Sequence, residues 1–340
     1  MPKKPIGICL IGLGRAGRFH LQSLRLLDDA KLACVYDLAG DECTVVAAQT
    51  GCALANSAEE AIARSEVDAI IVATPTDSHF EFVQMGLDAR KPVLTEKPLG
   101  RHLHQIDKSF EKAAKNESPL FVAFQRRFDP AFASLVSSVR NGSVGQLQFV
   151  RSVSRDNPVP SLDYLGISGG IFHDCMVHDL DMVVQIVGET PTHLSSFGTS
   201  FISEIGDLDD FDNVVASLLF PSGITATIDI NRKSVYGYDQ RIEAFGDRGM
   251  VQAENYHNTS VKTATESGFQ QPPVDYSFPT RYRDAYLEEL KCFVECVRGE
   301  TSVPISHEDV RINHLLACGL ETAAREKRVV CFNEIEGNLQ

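Results

Sequence analysis

The stretch PIGICLIGLGRAGRFHLQSLRLL, residues 5–27, decides the fold of this 340-residue chain. Its first part, PIGICLIGLG, has the continuous apolar character of a buried parallel strand, and RAGRFHLQSLRLL has the pattern of a helix. Between them, Gly12, Gly14 and Gly17 form the spacing G-x-G-x-x-G. This spacing is informative only where it ends a strand and opens a helix, as it does here. We therefore expect a strand–turn–helix unit in which the glycine turn serves to bind a ligand.

The three glycines each serve a different physical need. Gly12 would make the tight turn, Gly14 would let the backbone approach a pyrophosphate, and Gly17 would let helix and strand pack closely. The pyrophosphate would then bind the free N–H groups at the helix N-terminus. A turn with only a structural role is the alternative. The predicted cofactor contacts in this segment are Gly12, Leu13, Gly14, Arg15, Ala16 and Gly17.

The second predicted strand, AKLACVYD, indicates which cofactor this is. It ends at Asp37, twenty residues after Gly17. An acidic residue at this place accepts hydrogen bonds from a ribose 2′-hydroxyl and repels a 2′-phosphate. Neither neighbour, Tyr36 nor Leu38, is an arginine that could bind such a phosphate. The sequence therefore predicts NAD rather than NADP, and a helix-capping aspartate is the alternative.

Strand and helix patterns alternate through residues 1–124. Further apolar strands are predicted in EVDAIIVATP, KPVLTE and PLFVAF, with helices in DSHFEFVQMGLDAR and HLHQIDKSFEKAAK between them. Such alternation predicts right-handed crossovers and a doubly wound parallel sheet. We expect residues 1–124 to form a Rossmann domain that binds NAD, the α/β part of the chain.

After Phe124 the pattern changes to strands of alternating polarity joined by short turns such as PSG and GDRG. This pattern predicts an open, mainly antiparallel sheet. Helices at residues 169–188, 284–299 and 306–326 are expected to cover one face, and a second subunit would cover the other. Residues 125–340 are thus predicted to form an α+β domain for substrate binding and oligomerisation.

Composition excludes several classes of partner. The formal net charge of −14 argues against nucleic acid and anionic membranes, which would repel the chain. No apolar run approaches the roughly 18 residues of a membrane span. The first strand begins near residue 6, which leaves no room for a signal peptide. Nine cysteines without a CxxC pair favour reduced thiols, so we expect a cytoplasmic protein.

The stretch GGIFHDCMVHDLD, residues 169–181, holds two histidines and three aspartates. On an α-helix, Asp174 and His178 are four apart and share a face. His173 and His178 are five apart and diverge, so they make a poor metal pair and no metal site is predicted. The stretch is therefore either a solvated helix face or an acid–base pair. The two glycines before it, which allow close approach, and the cofactor domain favour the acid–base pair.

Oxidation of an alcohol by NAD needs a base for the hydroxyl proton. Histidine suits this role because its unperturbed pKa lies near neutrality. A carboxylate one turn away can fix the histidine tautomer and stabilise the imidazolium. We predict that His178 is the base and that Asp174 orients it.

Six motifs together resemble the Gfo/Idh/MocA oxidoreductase family: GLGRAGRFH, ATPTDSHF, EKP, RRFDP, GGIFHDCMVHDLDM and GYDQRIEAFG. They occur in family order over essentially the whole chain and are most similar to the branch that oxidises myo-inositol. The resemblance implies reversible hydride transfer between NAD and a cyclitol, with 2-keto-myo-inositol as the expected product. Another inositol isomer, a pyranose sugar, or a nicotinamide sensor without catalysis are the alternatives. Family members are commonly tetramers assembled through the open sheets.

The resemblance also implies roles for single residues. Asp174 and His178 match the family's D-x-x-x-H, and Lys97 of EKP would stabilise negative charge on the carbinol oxygen and join the proton relay. Gln125 and Cys175 depart from the family pattern, which leaves the cyclitol isomer open. Further cofactor contacts are implied for Thr74, Pro75, Thr76, His79, Glu96, Lys97 and Arg126. Substrate contacts are implied for Lys97, Arg127, Arg155, Asp156, Asn157, Asp174, His178, Asp179, Tyr236, Tyr238 and Tyr282.

Overall fold

A computed structural model describes residues 4–339 of the chain. They divide into two compact units. The first comprises the residues up to Phe128 together with Arg283–Arg311, and the second comprises Asp129–Tyr282 and the residues from Ile312 onward. The first unit therefore contains a segment that the sequence pattern placed in the substrate domain.

The first unit is built on a parallel sheet of six strands in the order β3-β2-β1-β4-β5-β6. This is the strand order of a dinucleotide-binding doubly wound sheet, which confirms the predicted fold class. The short strand β3 was not predicted. The strands are β1 (Ile6–Ile11), β2 (Ala30–Tyr36), β3 (Ala53–Leu54), β4 (Ala69–Val72), β5 (Val93–Glu96) and β6 (Leu120–Ala123). The helices are α1 (Arg15–Leu24), α2 (Gly40–Thr50), α3 (Ala58–Ala63), α4 (Thr76–Asp88) and α5 (Leu103–Asn116).

The rest of the chain forms a seven-stranded sheet, a small hairpin and further helices. The large sheet is mixed, because only its central pair is parallel, and the remaining pairs are antiparallel as predicted. Its strands are β7 (Leu147–Arg155), β8 (His193–Thr199), β9 (Asn213–Leu219), β10 (Thr225–Asn231), β11 (Asp239–Gly246), β12 (Gly249–Ala253) and β15 (Val330–Cys331), and the hairpin is β13 (Thr263–Thr265) and β14 (Gly268–Gln270). The helices are α6 (Pro130–Arg140), α7 (Leu162–Ser168), α8 (Val177–Val187), α9 (Ser203–Gly206), α10 (Phe278–Arg281), α11 (Arg283–Val297), α12 (His307–Glu326) and α13 (Phe332–Leu339).

The large sheet has one buried and one exposed face. Along β9, Val214, Ala216 and Leu218 are buried, whereas Val215 and Leu219 between them are exposed. The buried face is the one that β7 presents to α8. The predicted PSG and GDRG turns join β9 to β10 and β11 to β12.

The helix α11 belongs to the first unit. Its amphipathic pattern had instead predicted that it would cover one face of the large sheet. Its Phe293 ring packs edge-on against Phe121 of β6, with ring centroids 5.9 Å apart. Its Tyr286 ring lies 5.8 Å from that of Phe19 on α1. The apolar face of α11 is therefore buried against the NAD-binding half of the chain.

One carboxyl group on α11 lies in this core. Glu289 is fully buried, and neither of its oxygens has a hydrogen-bond partner among the residues that the structure describes. Burial raises the pKa of Glu289 well above its usual range, and the nearby charge of Glu96 raises it further. Folding therefore favours the protonated form of this side chain.

We expect Glu289→Met to stabilise the protein at neutral pH by about 1–3 kcal/mol, the cost of burying a polar group that has no hydrogen-bond partner. Because the pKa of Glu289 is raised in the folded protein, protonation of this side chain contributes to the free energy of unfolding. The contribution is complete only below the pKa that Glu289 has in the unfolded chain, and it is lost as pH rises. The gain in unfolding free energy from Glu289→Met, measured by urea denaturation, should therefore be larger at pH 8 than at pH 5. Glu295→Met, an exposed change on the same helix, should show no such trend. Equal gains for Glu289→Met at both pH values would contradict the prediction.

No helix within residues 4–339 combines the length and the apolar character that crossing a membrane requires.

Candidate active site

The glycine turn after β1 has the geometry that its spacing predicts. Gly12 has a φ of +98°, and a Cβ atom there would lie 2.5 Å from the carbonyl oxygen of Ala73. A Cβ atom on Gly17 would overlap the carbonyl oxygen of Gly12, so both positions require glycine. Around Gly14, by contrast, a Cβ atom would meet nothing within 4 Å. The helix α1 begins there without a side-chain cap or an acidic residue in its first turn, which leaves space and N–H donors for a phosphate group.

Asp37 is fixed beside this turn. The backbone N–H of Leu13 donates to its Oδ2 at 2.6 Å, and that of Ala39 donates to its Oδ1 at 2.8 Å. The carboxylate is half-buried at the end of β2. An anion at this position fits a ribose that carries free hydroxyls, so the turn and Asp37 together suit NAD. Of the other two predicted contacts in the turn, Arg15 is exposed and Ala16 half-buried.

The turn after β4 holds Thr74, Pro75 and Thr76 at or near the surface, and His79 lies behind it. The imidazole of His79 is buried, with Nδ1 2.8 Å from the carbonyl oxygen of Pro98 and Nε2 2.6 Å from that of Thr74. Burial lowers the pKa of His79, and its contacts with the two carbonyl oxygens oppose this shift. His79 thus connects the β4–α4 turn to the segment that follows Lys97.

Lys97 follows directly after the last residue of β5. Before it, the buried Glu96 lies 2.9 Å from Nε2 of His20 on α1. Burial opposes ionisation of Glu96, but the contact with His20 lowers its pKa, so the carboxylate is charged. After it, the Lys97–Pro98 peptide is cis. Lys97 itself is half-buried.

Two adjacent arginines lie in the 3-10 segment Gln125–Phe128. Arg126 is buried. Arg127, which the resemblance assigns to the substrate, lies with Nη2 3.3 Å from Asp309 Oδ1, and its Nη1 donates to the carbonyl oxygen of Pro304. Its guanidinium is therefore engaged with neighbours of the first unit.

In the second unit, Asp174 is held by two partners that are distant in sequence. The hydroxyl of Tyr164 donates to its Oδ1 at 2.8 Å, and Nη1 of Arg232 donates to its Oδ2 at 3.1 Å. Arg232 is fully buried, and its Nη2 donates to Asp210 at 3.2 Å. The carboxylate of Asp174 is therefore fixed in orientation from two sides.

Asp174 lies in a π-helical turn, Phe172–Met176, and the α-helix α8 begins only at Val177. The sequence pattern predicted one continuous α-helix here. Cys175, the next residue, also reaches Arg232, with its Sγ 3.3 Å from Nη1, and it donates to Asp156 at 3.4 Å. Burial opposes the charge of Arg232, but Cys175, Asp174 and Asp210 raise its pKa above the ordinary arginine value. The π turn thus presents two consecutive side chains to one buried cation.

His178 is the second residue of α8 and is half-buried. Its neighbour Asp179 is fully buried and accepts hydrogen bonds from Ser152 at 2.6 Å and Ser154 at 3.0 Å. Asp179, predicted as a substrate contact, therefore joins α8 to β7 and fixes the helix from which His178 projects.

Nearly the whole chain is similar to known oxidoreductases. Residues 6–124 match the Gfo/Idh/MocA description "Oxidoreductase family, NAD-binding Rossmann fold", and residues 132–252 match the family's C-terminal domain. The myo-inositol 2-dehydrogenase of Thermotoga maritima is 39% identical over 332 residues, which is 97% of this chain and 99% of that protein. The chain belongs to the Gfo/Idh/MocA oxidoreductase family. The predicted family, fold class, enzyme class and NAD cofactor are thereby confirmed.

Two further proteins are similar over nearly the whole chain. The inositol 2-dehydrogenase of Rhizobium meliloti is 33% identical over 94% of this chain and 97% of its own. The crystal structure of a probable dehydrogenase from Thermotoga maritima superposes with a TM-score of 0.94 at 38% identity, covering 97% of this chain and 100% of that one.

The remaining residues of the predicted substrate shell do not all lie together. Arg155 donates to Asp229 at 2.6 Å and to the hydroxyl of Tyr236 at 3.1 Å. Side chains alternate along a strand, so Arg155 lies on the face of β7 opposite to Ser154, away from Asp179. Asn157 donates to the carbonyl oxygen of Tyr276 at 2.8 Å. In contrast, Asp156 is half-buried and reaches the π turn through Cys175.

Tyr238 and Tyr282 are both buried, and their rings meet edge-on with centroids 6.0 Å apart. Tyr282 is fully buried and also lies 4.8 Å from the guanidinium carbon of Arg281. These two tyrosines are therefore part of the packed interior of the second unit.

Sequence reasoning missed the residues that contact the predicted site residues. Tyr164 and Arg232 contact Asp174, Asp210 contacts Arg232, and His20 contacts Glu96. Arg232 lies 58 residues after Asp174, so no local spacing relates the two. The available signal was a cation that directly follows the alternating strand GITATIDIN.

Proposed function

We propose that this protein oxidises myo-inositol to 2-keto-myo-inositol with NAD, as a step of inositol catabolism. The observation that carries the proposal is the doubly anchored carboxylate of Asp174, placed four residues before the half-buried His178. A solvated helix face would need no buried arginine behind its aspartate. The names of the two inositol dehydrogenases that are 39% and 33% identical support a cyclitol as the substrate class.

In this reaction His178 accepts the proton of the carbinol hydroxyl. Asp174 orients the imidazole and stabilises its charged form, and Arg232 with Tyr164 keeps the carboxylate in place. Lys97 stabilises negative charge on the carbinol oxygen through its ammonium group. The chemistry that bound NAD supplies is acceptance of the hydride. Its pyrophosphate is proposed to bind at Gly12–Gly17 and its adenosine ribose at Asp37.

The test is a panel of myo-, scyllo- and D-chiro-inositol and common hexoses with NAD and with NADP. We expect the highest kcat/KM for myo-inositol with NAD. A higher kcat/KM for another isomer or a pyranose would support the same catalytic residues with that compound as the substrate. Absence of turnover with every compound, despite NAD binding, would favour a sensor.

Asp37 should determine the choice of cofactor. We expect Asp37→Ala combined with Leu38→Arg to lower kcat/KM for NAD by about 10-fold to 100-fold, the value of hydrogen bonds to a charged group, and to raise it for NADP. Leu38 is 86% exposed, so Leu38→Arg alone is a matched control that should still prefer NAD. Steady-state kinetics with both cofactors measures the change. A wild-type preference for NADP would contradict the assignment.

We also propose that the protein is a homotetramer, or at least a dimer, assembled through the exposed face of the large sheet. Phe197, Val215, Leu219, Phe245 and Met250 are between 40% and 71% exposed on its strands. An apolar area of this kind on a monomer would favour association. Light scattering at micromolar concentration should give a mass of two or four chains, and a strict monomer would contradict the proposal.

A cytoplasmic location is proposed from the state of the cysteines. All nine cysteines are free, as expected in a reducing compartment. The net charge of −14 supports the absence of nucleic acid and membrane partners.

A further inference from the structure

Three side chains of the second unit with metal-binding groups meet at a place that the proposed reaction does not use. They are His173, His314 and Cys318, and one ligand atom from each lies within 4.8 Å of the other two. His314 and Cys318 are four residues apart on α12, so they lie on one face one turn apart. His173 comes from the π turn Phe172–Met176, where it directly precedes Asp174. The cluster thus joins two segments that are 141 residues apart in sequence.

The distances in this cluster suit a tetrahedral ion. Sγ of Cys318 lies 3.7 Å from Nε2 of His314. A zinc ion with ordinary bond lengths and tetrahedral angles holds a sulfur and a nitrogen ligand about 3.6 Å apart. The rings of His173 and His314 are tilted by 50° with centroids 5.7 Å apart, so they are not stacked. One ligand atom of each lies within 4.8 Å of the other and of the Cys318 sulfur.

Neighbouring residues form the surroundings that metal-bound histidines usually have. Glu321 lies one turn beyond Cys318 on α12, and its Oε2 is 3.3 Å from Nε2 of His173. The other oxygen, Oε1, accepts from Nε of Arg325 at 2.9 Å. A carboxylate that holds one histidine nitrogen while the other binds the ion is the usual outer partner of such sites. The side chains of His173 and Glu321 are 19% and 31% exposed, so an ion can enter from solvent.

We propose that His173, His314 and Cys318 bind one Zn²⁺ ion, with water in the fourth position and Glu321 fixing His173. Two imidazoles and a thiolate are the donor set that zinc prefers over magnesium or calcium. Because His173 adjoins Asp174, the ion fastens the π turn to α12. It has no part in the proton transfer and is a positioning element of the second unit.

The test uses Co²⁺ as a coloured substitute for Zn²⁺ on the purified full chain, after treatment with a chelator. Titration should give a thiolate-to-metal charge-transfer band in the near ultraviolet that saturates at one equivalent. Cys318→Ser should abolish the band, and Zn²⁺ should displace Co²⁺. Cys292→Ser, at a half-buried cysteine on α11, is the matched control and should keep the band.

A variant of a residue that does not bind the ion tests whether misfolding explains the loss of the band. Glu321→Gln should retain the band but weaken Co²⁺ and Zn²⁺ affinity about 10-fold to 100-fold, as is usual for loss of an outer partner. Circular dichroism and thermal unfolding of each variant report that the chain has folded. Absence of the band in the wild type, or an equal band in folded Cys318→Ser, would overturn the proposal and leave a hydrogen-bonded thiol–imidazole cluster.

Discussion

Replacing His178 by alanine is expected to lower kcat for myo-inositol oxidation by about 10²-fold to 10⁴-fold, the usual loss for a general base. NAD affinity should stay near the wild-type value, because the glycine turn and Asp37 belong to the first unit and His178 to the second. The wild-type rate should rise with pH, since a base must be deprotonated to accept a proton, and this acid limb should be absent in His178→Ala. Steady-state kinetics over a pH series and NAD titration measure both effects.

The matched control is His193→Ala, which changes an exposed histidine of β8 and should leave kcat unchanged. Lys97→Ala should also lower kcat. The double variant should lose less than the product of the two single losses, because both residues serve one proton transfer. Near-normal turnover by His178→Ala across the pH series would show that residues 169–181 are an ordinary helical segment.

Arg232→Ala is expected to destabilise the protein by about 3–5 kcal/mol, because it leaves the buried carboxylate of Asp210 and the half-buried carboxylate of Asp174 without their cation. The change should also lower kcat, since the carboxylate of Asp174 would keep only Tyr164 of its two described anchors. Chemical denaturation gives the stability and steady-state kinetics the turnover.

Lys233→Ala removes an exposed cation at the next position and should change stability by no more than about 0.5 kcal/mol. Adding Asp210→Asn to Arg232→Ala should restore part of the lost stability, because one of the two unpaired charges is then removed. A loss below about 1 kcal/mol for Arg232→Ala would mean that the buried cluster does not anchor Asp174.

The first unit was largely predictable because its signals are local. Gly12 and Gly17 have no space for a side chain, and Asp37 contacts the N–H of Leu13, so the spacing reports the packing directly. The position of α11 was not predictable in this way. Its amphipathic pattern shows that one face is buried, but it contains nothing that distinguishes the core around Phe121 from the large sheet.

In the candidate site, too, residues with a local signal were found and residues from distant segments were not. Asp174 and His178 were found from a spacing within one segment, and whether they act as predicted is a matter for the variants above. Their surroundings were not found, because Tyr164 and Arg232 come from other elements and the π turn has the same residue types as an α-helix. Residue type also fails to report burial, so Asp179 and Tyr282 were assigned to the substrate although both are fully buried.

The prediction that residues 169–181 bind no metal rested on a comparison of only the two histidines in that stretch. His173 does diverge from His178 on an α-helix, but its partners are on α12. A long-range pair of this kind has no signature in the spacing around residue 173.

The return of residues 283–311 to the first unit has a consequence for synthesis of the chain on the ribosome. All six strands of the parallel sheet have been translated once Ala123 is added, but Phe293, which packs on Phe121, is added about 170 residues later. Tyr286, the partner of Phe19, is equally late. During this interval the nascent sheet lacks the helix that completes its core. The NAD-binding half therefore cannot mature as an independent N-terminal module, and its completion waits until most of the second unit has been made.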